Sequence, residues 1–413
     1  MTNDITVRHY ENMKESGVEW IGMVPTGWKI CRGKVILKPL QRKVLESDEV
    51  ITCFRDGEVT LRKNRREDGF TNSILEIGYQ GIEPGDLVVH GMDGFAGAIG
   101  ISDSRGKASP VLNVLDSLEN KRYLMYYLRM LAYRDVFVSL ATGIRIRSCD
   151  LRWNKLANLP FLLPDRGTQE GIAKFLDNKC FEIENTIANI KLTIAEYKAW
   201  KSSIIYEAVT KGLDRNVEMK DSGVDIIGYI PKDWTLRRLK FLCSVMTGNQ
   251  DTQNAVDNGI YPFYVRSPIV ERSNVYTYEG EGVLMAGDGA GAGRVFHHAF
   301  GKYAIHQRVY CFHDFHNILP DYFYYFMSEL FKHEMDKGSA QSTVPSVRMP
   351  MIVNFQICLP PIDEQRHIVK AIEKSCKLID SIIAEKEQLI VDLTDYKKSL
   401  IFEVVTGKRR IIS

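Results

Sequence analysis

The segment KESGVEWIGMVPTGW, residues Lys14–Trp28, is followed 206 positions later by KDSGVDIIGYIPKDW, residues Lys220–Trp234. Eight of the fifteen positions are identical in the two copies. A second match lies further along each half at an offset of 196, where LPDRGTQEGIAKFLDNKCFEIENTI begins at Leu163 and LPPIDEQRHIVKAIEKSCKLIDSII begins at Leu359. Because internal repeats of this kind mark duplicated structural units, we predict that the chain consists of two related halves.

Each of these longer matches runs into a stretch without proline in which apolar residues alternate four and three positions apart, a spacing typical of helices that pair through an apolar seam. A helix of about 40 residues is roughly 60 Å long, which exceeds the width of one domain, so the two helices are predicted to cover each other. Gly212 and Gly407 are predicted to end them. The predicted seam consists of Leu176, Cys180, Ile183, Ile187, Ile190 and Ile194 in the first helix and Ile372, Cys376, Ile379, Ile383, Ile390 and Leu393 in the second.

The order of these segments predicts the direction of the pairing. The first helix enters the second globular segment by its C-terminal end and the second helix leaves that segment by its N-terminal end, so the two helices must run antiparallel. We predict an α+β fold with a pseudo-twofold internal repeat: two mixed α/β domains separated by two long helices that form an antiparallel coiled coil. The predicted boundaries are 1–165 for the first domain, 166–212 for the first helix, 213–360 for the second domain and 361–413 for the second helix.

The composition is that of a globular protein. The chain has 413 residues, of which 45% are hydrophobic and 26% charged, and its formal net charge is +2. No run of about 18 apolar residues occurs, and the N-terminal region has no apolar stretch of signal-peptide length, so we expect a cytoplasmic protein without membrane contact. The eight cysteines form no C-x-x-C pair, and the histidines at 297, 298, 313 and 316 lack further ligands nearby in sequence, so no metal site is expected.

Each half contains a glycine-rich stretch between strand-like runs, GDLVVHGMDGFAGAIGI from Gly85 and GVLMAGDGAGAGRVF from Gly282. Neither satisfies the G-x-G-x-x-G fingerprint of dinucleotide binding, and no helix pattern follows either of them. The chain also lacks a G-x-S-x-G elbow, an H-E-x-x-H zinc motif and the Asp/Asn-Pro-Pro-aromatic motif with which adenine methyltransferases hold a flipped base. We therefore interpret the glycines as tight turns in a compact sheet and predict no catalytic residue in this chain.

Basic and polar residues cluster in the loops of both halves. The arginine fork matches phosphates and guanine edges, and amide side chains match adenine edges, so these clusters favour DNA binding. For any single residue, a solvated surface side chain is the competing interpretation. The candidate DNA-binding residues are Arg62, Lys63, Arg65, Arg66, Arg145, Arg147 and Arg152 in the first half and Asn249, Gln250, Arg266, Gln341, Ser342 and Arg348 in the second.

In the order of these motifs, the chain resembles the specificity subunit of type I restriction-modification systems. The resemblance covers nearly the whole chain: the doubled SGVEWIGMVP and SGVDIIGYIP openings, the Gly-Asp strand turns, the YLMYYLR and YFYYFMS helices, and the LPPIDEQRHIV entry to the second long helix. It implies that each domain is a target recognition domain that reads one half of an asymmetric, bipartite sequence in double-stranded DNA. The helices would fix the gap between the two halves.

The resemblance further implies two methyltransferase subunits docked on the helices and restriction subunits that act as motor and nuclease. S-adenosylmethionine, magnesium and ATP would be bound by those partners, and this chain would hold no cofactor. The first copy departs from the family pattern at Gly167-Thr168, where the second copy has Asp363-Glu364. The two domains also differ in their loops, which implies two different half-sites.

Two other functions stay open at this level. A self-contained DNA methyltransferase or nuclease with duplicated domains would bind S-adenosylmethionine or a metal by itself. A coiled-coil scaffold that only joins proteins would leave the assembled complex without affinity for duplex DNA.

Overall fold

The structure, a computed structural model, describes residues 10–65, 76–139, 151–338 and 345–411. The chain divides into two compact units: Met1–Ile190 together with Gln388–Ser413 form the first, and Lys191–Glu387 form the second. Each unit therefore combines one globular half of the chain with segments of both long helices. No helix in the described ranges is apolar and long enough to span a bilayer.

The first unit is built on short strands and a central helix. Its described elements are the strands β1 (Met13–Glu15), β2 (Met23–Pro25), β3 (Lys29–Arg32), β4 (Lys38–Pro39), β5 (Ile51–Cys53), β6 (Val59–Leu61), β7 (Gln80–Ile82), β8 (Leu87–His90), β9 (Ile99–Ile101), β10 (Gly106–Ala108), β11 (Leu112–Asp116) and β12 (Pro160–Leu163), and the helices α1 (Gly33–Ile36), α2 (Lys121–Tyr133), α3 (Val136–Ser139), α4 (Trp153–Leu156) and α5 (Arg166–Lys211), of which α5 continues into the second unit.

The central sheet of the first unit has the strand order β4-β11-β8-β9 and is antiparallel throughout. Leu87 and Val89 of β8 share a core with α2, whereas Val88 belongs to a separate core with Ile51 and Val59 of the β5-β6 hairpin. This alternation follows from strand geometry, which points successive side chains to opposite faces. The sheet is therefore covered by α2 on one face and by small hairpins on the other.

The second unit repeats this plan. Its described elements are the strands β13 (Met219–Asp221), β14 (Tyr229–Pro231), β15 (Thr235–Arg238), β16 (Ser244–Thr247), β17 (Tyr261–Tyr264), β18 (Glu271–Ser273), β19 (Tyr278–Glu279), β20 (Gly282–Ala286), β21 (Phe296–Ala299), β22 (Lys302–Ile305), β23 (Val309–His313) and β24 (Gln356–Leu359), and the helices α6 (Pro320–Leu330), α7 (Lys332–Gly338), α8 (Met349–Asn354) and α9 (Ile362–Val405), of which α9 continues into the first unit.

The central sheet of the second unit has the order β16-β23-β20-β21 and is also antiparallel. Val283 and Met285 of β20 share a core with α6, and the intervening Leu284 packs with Tyr303 and Ile305 of β22. A second sheet, β18-β17-β22-β19, covers that face. The same layers thus recur in both units.

The two long helices have defined ends. Asp165 precedes α5, and its carboxylate accepts hydrogen bonds from the Thr168 hydroxyl at 2.6 Å and the Thr168 backbone N–H at 3.0 Å. These bonds hold the pKa of Asp165 below its ordinary value. Gly212, with a φ of 76°, follows α5, and Gly407, with a φ of 71°, follows α9. Both adopt the left-handed conformation that ends helices, as the sequence predicts.

Within the first unit, the segments of α5 and α9 run antiparallel. Tyr123 of α2 donates a hydrogen bond to Leu162 O at 2.8 Å, and its hydroxyl oxygen lies 3.4 Å from Val405 O. The strand before α5 therefore lies beside the end of α9. Further along both helices, Lys397 Nζ lies 3.1 Å from Glu184 Oε1.

Within the second unit, an equivalent tyrosine makes equivalent contacts. The hydroxyl of Tyr322 lies 2.9 Å from Val209 O near the end of α5 and 3.1 Å from Cys358 O in the strand before α9. Lys201 Nζ lies 2.7 Å from Asp380 Oδ2. The helix segments of this unit are thus also antiparallel, and the predicted fold class is confirmed.

The predicted seam residues lie largely inside the two units. Leu176, Cys180, Ile183, Ile190, Ile194, Ile372, Cys376, Ile379 and Ile383 are buried, and Ile187, Ile390 and Leu393 are partly buried. The burial of these residues is what the heptad spacing requires of an apolar seam.

The first copy of the repeated opening segment forms a hairpin of β1 and β2 that holds the end of α9. Ile21 and Trp28 are buried in the same core as Leu400 and Val404 of that helix. Lys408, just beyond the helix, donates a hydrogen bond from Nζ to Ile21 O at 2.6 Å. We refer to this hairpin and its counterpart as the helix-end hairpins.

The second helix-end hairpin, of β13 and β14, holds the end of α5. The hydroxyl of Tyr206 in α5 lies 3.2 Å from both Ile226 O and Ile227 O, the acceptors for its single proton. Trp234 Nε1 donates to Glu364 Oε2 at 3.0 Å. The duplicated sequence therefore has a structural reason, because each copy fastens the end of one long helix within its own unit.

The departure at Gly167-Thr168 changes this arrangement in the first unit. Thr168 is at the position of Glu364 in the second copy. Its hydroxyl donates a hydrogen bond to the carboxylate of Asp165. Trp28 instead pairs with Tyr10, edge to face, at a centroid distance of 5.9 Å. The substitution is therefore compensated by an aromatic contact from the N-terminal segment.

Candidate nucleic-acid interface

The glycine-rich stretch of the second unit forms a loop, residues 287–294, that we call the second Asp-Gly loop. A Cβ atom on Gly287 would lie 2.9 Å from Arg308 O, and one on Gly291 would lie 2.6 Å from Arg266 O. Glycine at these positions allows the backbones that carry the two arginines to approach Asp288 closely. The glycines thus serve close packing of loops, in agreement with their interpretation as turns.

Asp288 in this loop binds both arginines. Arg266 Nη1 lies 2.9 Å from Asp288 Oδ1, and Arg308 Nη1 donates to Asp288 Oδ2. The Asp288 side chain is 13% exposed, whereas those of Arg266 and Arg308 are 41% and 62% exposed. Burial alone would raise the pKa of Asp288, but the hydrogen bonds from Arg308 and Arg266 outweigh it and lower that pKa.

Polar side chains from two neighbouring loops adjoin this cluster. Gln250 pairs with His306 in an isolated parallel bridge, and Gln307 N donates to Gln250 O at 2.8 Å. Gln307 Nε2 donates to Asp251 Oδ2 at 2.7 Å. Burial, followed by the charge of Arg266, lowers the pKa of His306. The lowered pKa favours the neutral form of His306 at pH 7.

The first unit has a corresponding loop, residues 91–97, that we call the first Asp-Gly loop. Asp93 accepts a hydrogen bond from Arg55 Nη2 at 2.8 Å, and Arg55 is 67% exposed. His90 Nδ1 accepts hydrogen bonds from the backbone N–H groups of Met92 and Asp93, at 3.2 and 3.0 Å. Each unit therefore presents an exposed arginine held by the aspartate of its Asp-Gly loop.

The two loops also share their backbone partners. Leu151 N donates to Gly91 O at 2.9 Å in the first unit, and Val347 N donates to Gly287 O at 2.7 Å in the second. Both members of the second pair lie 196 positions after their counterparts. The chain segments that precede Leu151 and Val347 contain several of the candidate DNA-binding residues.

The predicted residues of the first half occupy different settings. Lys63 Nζ lies 2.5 Å from Glu49 Oε2, and Arg65 Nη1 lies 2.6 Å from Asp56 Oδ2. The Arg65 guanidinium also stacks over Phe54, 4.4 Å from the ring centroid. Arg62 Nε donates to Thr52 Oγ1 at 3.3 Å. These contacts within the domain fit the competing interpretation of structural or solvated side chains as well as they fit DNA binding.

The remaining described candidates lie near the Asp-Gly loops. Arg152 is the N-cap residue of α4 and Arg348 that of α8. Asn249 Oδ1 accepts a hydrogen bond from Gln250 Nε2 at 3.2 Å. Five candidates lie outside the described residues: Arg66, Arg145, Arg147, Gln341 and Ser342. The role of the whole set in DNA binding stays a prediction.

Arg55, Gln307 and Arg308 are absent from the predicted set although the structure places them at the Asp-Gly loops. Arg55 stands alone beside a strand, and Gln307 and Arg308 form only a short pair before one, so no larger basic cluster marks them. The available signal was that both glycine-rich stretches contain an Asp-Gly pair, Asp93-Gly94 and Asp288-Gly289, which locate the loops to which these side chains converge. The contacts of Arg55, Gln307 and Arg308 with these loops form only when strands distant in sequence have paired.

The described residues show no clustering of metal-ligating side chains. They contain no group of three or more His, Cys, Asp or Glu side chains that could hold a metal ion. The buried cysteines of this part of the chain are typified by Cys53 and Cys243, and burial raises the pKa of each thiol to about 12. Such thiols are protonated and poorly nucleophilic at pH 7.

A family model described as a type I restriction modification DNA specificity domain matches residues 231–390. The match covers most of the second globular half, with the second Asp-Gly loop, and more than half of α9.

Two curated proteins are similar to this chain over different lengths. The type I restriction enzyme EcoDI specificity subunit of Escherichia coli is 25% identical over 181 residues, which cover 44% of this chain and 40% of that protein. The type I restriction enzyme MjaVIII specificity subunit of Methanocaldococcus jannaschii is 24% identical over 420 residues, which cover 94% of each. The first match spans less than half of its relative, and the second spans nearly all of it.

Among solved structures, a chain from a study of complex assembly and conformational transition of the type I R-M system has a TM-score of 0.70 to this one. The superposition covers 93% of this chain and 99% of the other, at 13% sequence identity. At this identity the likeness concerns the fold alone.

Proposed function

We infer that this chain, which belongs to the family of type I restriction-modification specificity subunits, selects the DNA sequence on which a multisubunit complex acts. Each unit would read one half of an asymmetric bipartite target in double-stranded DNA. Discrimination of about 1–3 kcal/mol per good base contact is too small for one small domain to select rare genomic sites. Two domains in one chain add their discriminations.

The observation that carries this proposal is the repeated presentation of arginine. Arg55 on Asp93 and Arg266 on Asp288 occupy corresponding loops of two units with the same layers. The surrounding loop residues differ between the units, so the same framework would present different base-reading groups. A duplicated framework with divergent loops suits a target whose two halves have different sequences.

We propose that α5 and α9 set the number of unread base pairs between the half-sites and dock two methyltransferase subunits. The 46 residues of α5 and 44 of α9 provide long, regular elements for both tasks. Exposed apolar side chains along them support a docking role, among them Trp200 at 55% and Tyr396 at 49% exposure. These two residues lie 196 positions apart, so each helix would offer the same anchor.

The chemistry would reside in the partners. Methyltransferase subunits would bind S-adenosylmethionine, and restriction subunits would use magnesium and ATP for translocation and cleavage. This chain would contribute recognition and positioning and carry no catalytic residue or cofactor. Because the substrate is genomic DNA, we propose that it acts in the cytoplasm.

Binding selection with the assembled complex tests the proposal. The chain, reconstituted with its methyltransferase subunits, is incubated with a library of randomised duplexes at low and moderate salt, and the bound duplexes are sequenced. We expect enrichment of one asymmetric motif with two specified parts separated by a fixed unspecified gap. Replacement of residues 213–360 by the corresponding segment of a relative should change one part of the motif only.

The two competing functions give different results in this experiment. A scaffold would enrich no sequence. An independent methyltransferase or nuclease would bind S-adenosylmethionine or a divalent metal as the isolated chain, which isothermal calorimetry on the chain alone would detect. Either outcome would contradict the proposed function.

A further inference from the structure

We propose that Arg266 and Arg308, held side by side by Asp288, read guanine in the half-site recognised by the second unit, with Asp288 as a positioning residue. This proposal rests on the proposed function and names the base that one of its two readers selects. None of the three residues is part of a local basic cluster in the sequence.

The geometry leaves a donor-rich edge on each arginine. The Nη1 group of each guanidinium donates a hydrogen bond to one carboxylate oxygen of Asp288. Among the described residues, the Nε and Nη2 groups of both arginines make no further hydrogen bond. Guanine presents two acceptors, N7 and O6, in the major groove, and a guanidinium can donate to both at once. Each arginine therefore retains the groups that this base requires.

Asp288 is itself fixed by the chain that follows α7. It forms an isolated antiparallel bridge with Ser346, and the next residue, Gly289, donates from its backbone N–H to Pro345 O at 3.0 Å. The backbone N–H of Arg308 donates to His306 Nδ1 at 3.0 Å. Because the backbones at Asp288 and Arg308 are held in this way, less conformational entropy is lost when the side chains meet a base.

The charge of the cluster favours a nucleic acid over a protein-internal role. Two guanidinium groups share the carboxylate of Asp288, so this three-residue group carries one excess positive charge, with the Asp251 carboxylate nearby acting on Arg308. An arginine pair that served stability alone would gain little at this exposure, since surface ion pairs contribute about 0–1 kcal/mol. The arrangement is better suited to a ligand that supplies acceptors and negative charge.

The first unit differs in a way that makes the proposal specific. Asp93 holds one arginine, Arg55, and has His90 close by, at 3.9 Å from Asp93 Oδ2 to His90 Nε2. Val111 O, which accepts from Gly91 N, stands where Arg308 O accepts from Gly287 N in the second unit. The paired arginines are thus a feature of the second reader, and their effect should be confined to one half-site.

The experiment is binding selection from a randomised duplex library with the complete complex carrying Arg266→Ala, Arg308→Ala or Asp288→Asn. We expect the wild-type complex to require at least one G·C pair in the affected half-site. Each arginine variant should lower the preference for guanine at one position by roughly 5- to 150-fold, the range for one bidentate contact. Asp288→Asn should weaken the preference at the same positions, and the other half-site should be unchanged in all three.

Arg215→Ala is the matched control, because Arg215 is 92% exposed and pairs with Glu207 at 3.8 Å on the surface of the second unit. It should leave both half-sites unchanged. Arg308→Lys keeps the positive charge and serves if truncation impairs folding, which thermal unfolding of each complex would reveal. It should retain overall affinity but discriminate less sharply, since a single ammonium lacks the planar fork.

Three outcomes would overturn the guanine assignment, and the first is a wild-type motif in which the affected half contains no G·C pair. The second is a uniform loss of affinity across all duplexes in the arginine variants, which would assign these side chains to phosphates. The third is a motif that the variants do not change. If the wild-type complex enriches no motif, the proposed function itself fails. A wild-type motif that the three variants leave unchanged refutes only the guanine assignment.

Discussion

Lys201 Nζ lies 2.7 Å from both carboxylate oxygens of Asp380 and joins α5 to α9 in the second unit. Lys397 and Glu184 form the corresponding pair in the first unit, and each of these residues lies 196 positions from its counterpart. A lysine late in an apolar helix seam needs a counter-charge or water. Each copy of the repeat provides a carboxylate as the counter-charge for its lysine.

Charge reversal at this pair should lower stability modestly. Lys201 and Asp380 are 30% and 55% exposed, so the pair is worth only about 0.2–1 kcal/mol. Lys201→Glu would replace attraction by repulsion and should move the urea midpoint of the second unit downward. The double variant Lys201→Glu with Asp380→Lys should recover most of the loss. A double variant as unstable as the single one would show that the pair does not couple the helices.

Removal of the Tyr322 hydroxyl should cost more than the surface pair. Tyr322 is fully buried and its hydroxyl meets Val209 O and Cys358 O. Burial raises its pKa well above 10, so it is a permanent donor. Tyr322→Phe keeps the packing but leaves buried carbonyls without this partner, so the free energy of unfolding should fall by about 1–3 kcal/mol.

Tyr123→Phe should behave alike in the first unit, because Tyr123 contacts Leu162 O and Val405 O in the corresponding way. Tyr396→Phe on the exposed face of α9 is the control and should leave the unfolding midpoint unchanged. Equal stability of the Tyr322 and Tyr396 variants in urea titrations would contradict the role assigned to the buried hydroxyl.

Alanine substitution at two glycines of the long helices should change the free energy of unfolding in opposite directions. Gly212 has a φ of 76°, and a Cβ there would lie 3.2 Å from Trp234 Cζ2, so Gly212→Ala should destabilise by about 1–2 kcal/mol. Gly171 lies within α5 with nothing within 4 Å of an added Cβ. Gly171→Ala should therefore stabilise by about 0.5–1 kcal/mol. Thermal unfolding distinguishes the two, and a stabilising Gly212→Ala would refute the helix-stop assignment.

Acid should remove the contribution of Asp288. Its folded-state pKa is lowered from 3.8, so its carboxylate contributes stability above pH 3.8 that is lost as pH falls through the folded-state pKa. Relative to wild type, Asp288→Asn should show a constant deficit in the free energy of unfolding at neutral pH. The deficit should narrow below about pH 4, the ordinary range of aspartate. A deficit that grows on acidification would have the wrong sign for this assignment.

Shortening both long helices by one heptad should change the tolerated gap between half-sites if these helices set it. Deletion of residues 187–193 and 388–394 removes seven residues from each helix and about 10 Å of helix length, which bounds the shift at about three base pairs. Sequencing of duplexes selected by the deletion complex gives the new gap. An unchanged gap would refute the ruler proposal while leaving the two readers intact.

The long helices were predictable from sequence because their signal is local and strong. Seam positions such as Leu176 and Ile372 recur at heptad spacing, and glycine residues mark the ends. The pairing direction followed from chain order alone. In contrast, the function of the repeated opening segment could not be derived, because the contact of Ile21 with Lys408 joins residues at opposite ends of the sequence.

The candidate interface was only partly predictable for a similar reason. Arg266 belongs to the predicted set, but its partner Asp288 and the second arginine, Arg308, meet it only after β17, β20 and β23 have assembled. Gln169 and Gln365 occupy matching positions in the repeated segments that begin at Leu163 and Leu359, but the match does not indicate a role. In the structure both are buried, and their amides bind the backbone carbonyls of Pro164 and Pro360 ahead of the long helices.

The first unit joins Met1–Ile190 to Gln388–Ser413, whereas the second unit is one continuous segment. During translation the ribosome must therefore release all of Lys191–Glu387 before the first unit can be completed. Until then, the core that includes Leu176 and Cys180 lacks the packing of Leu400 and Val404 of α9. The order of synthesis thus lets the second unit mature before the first.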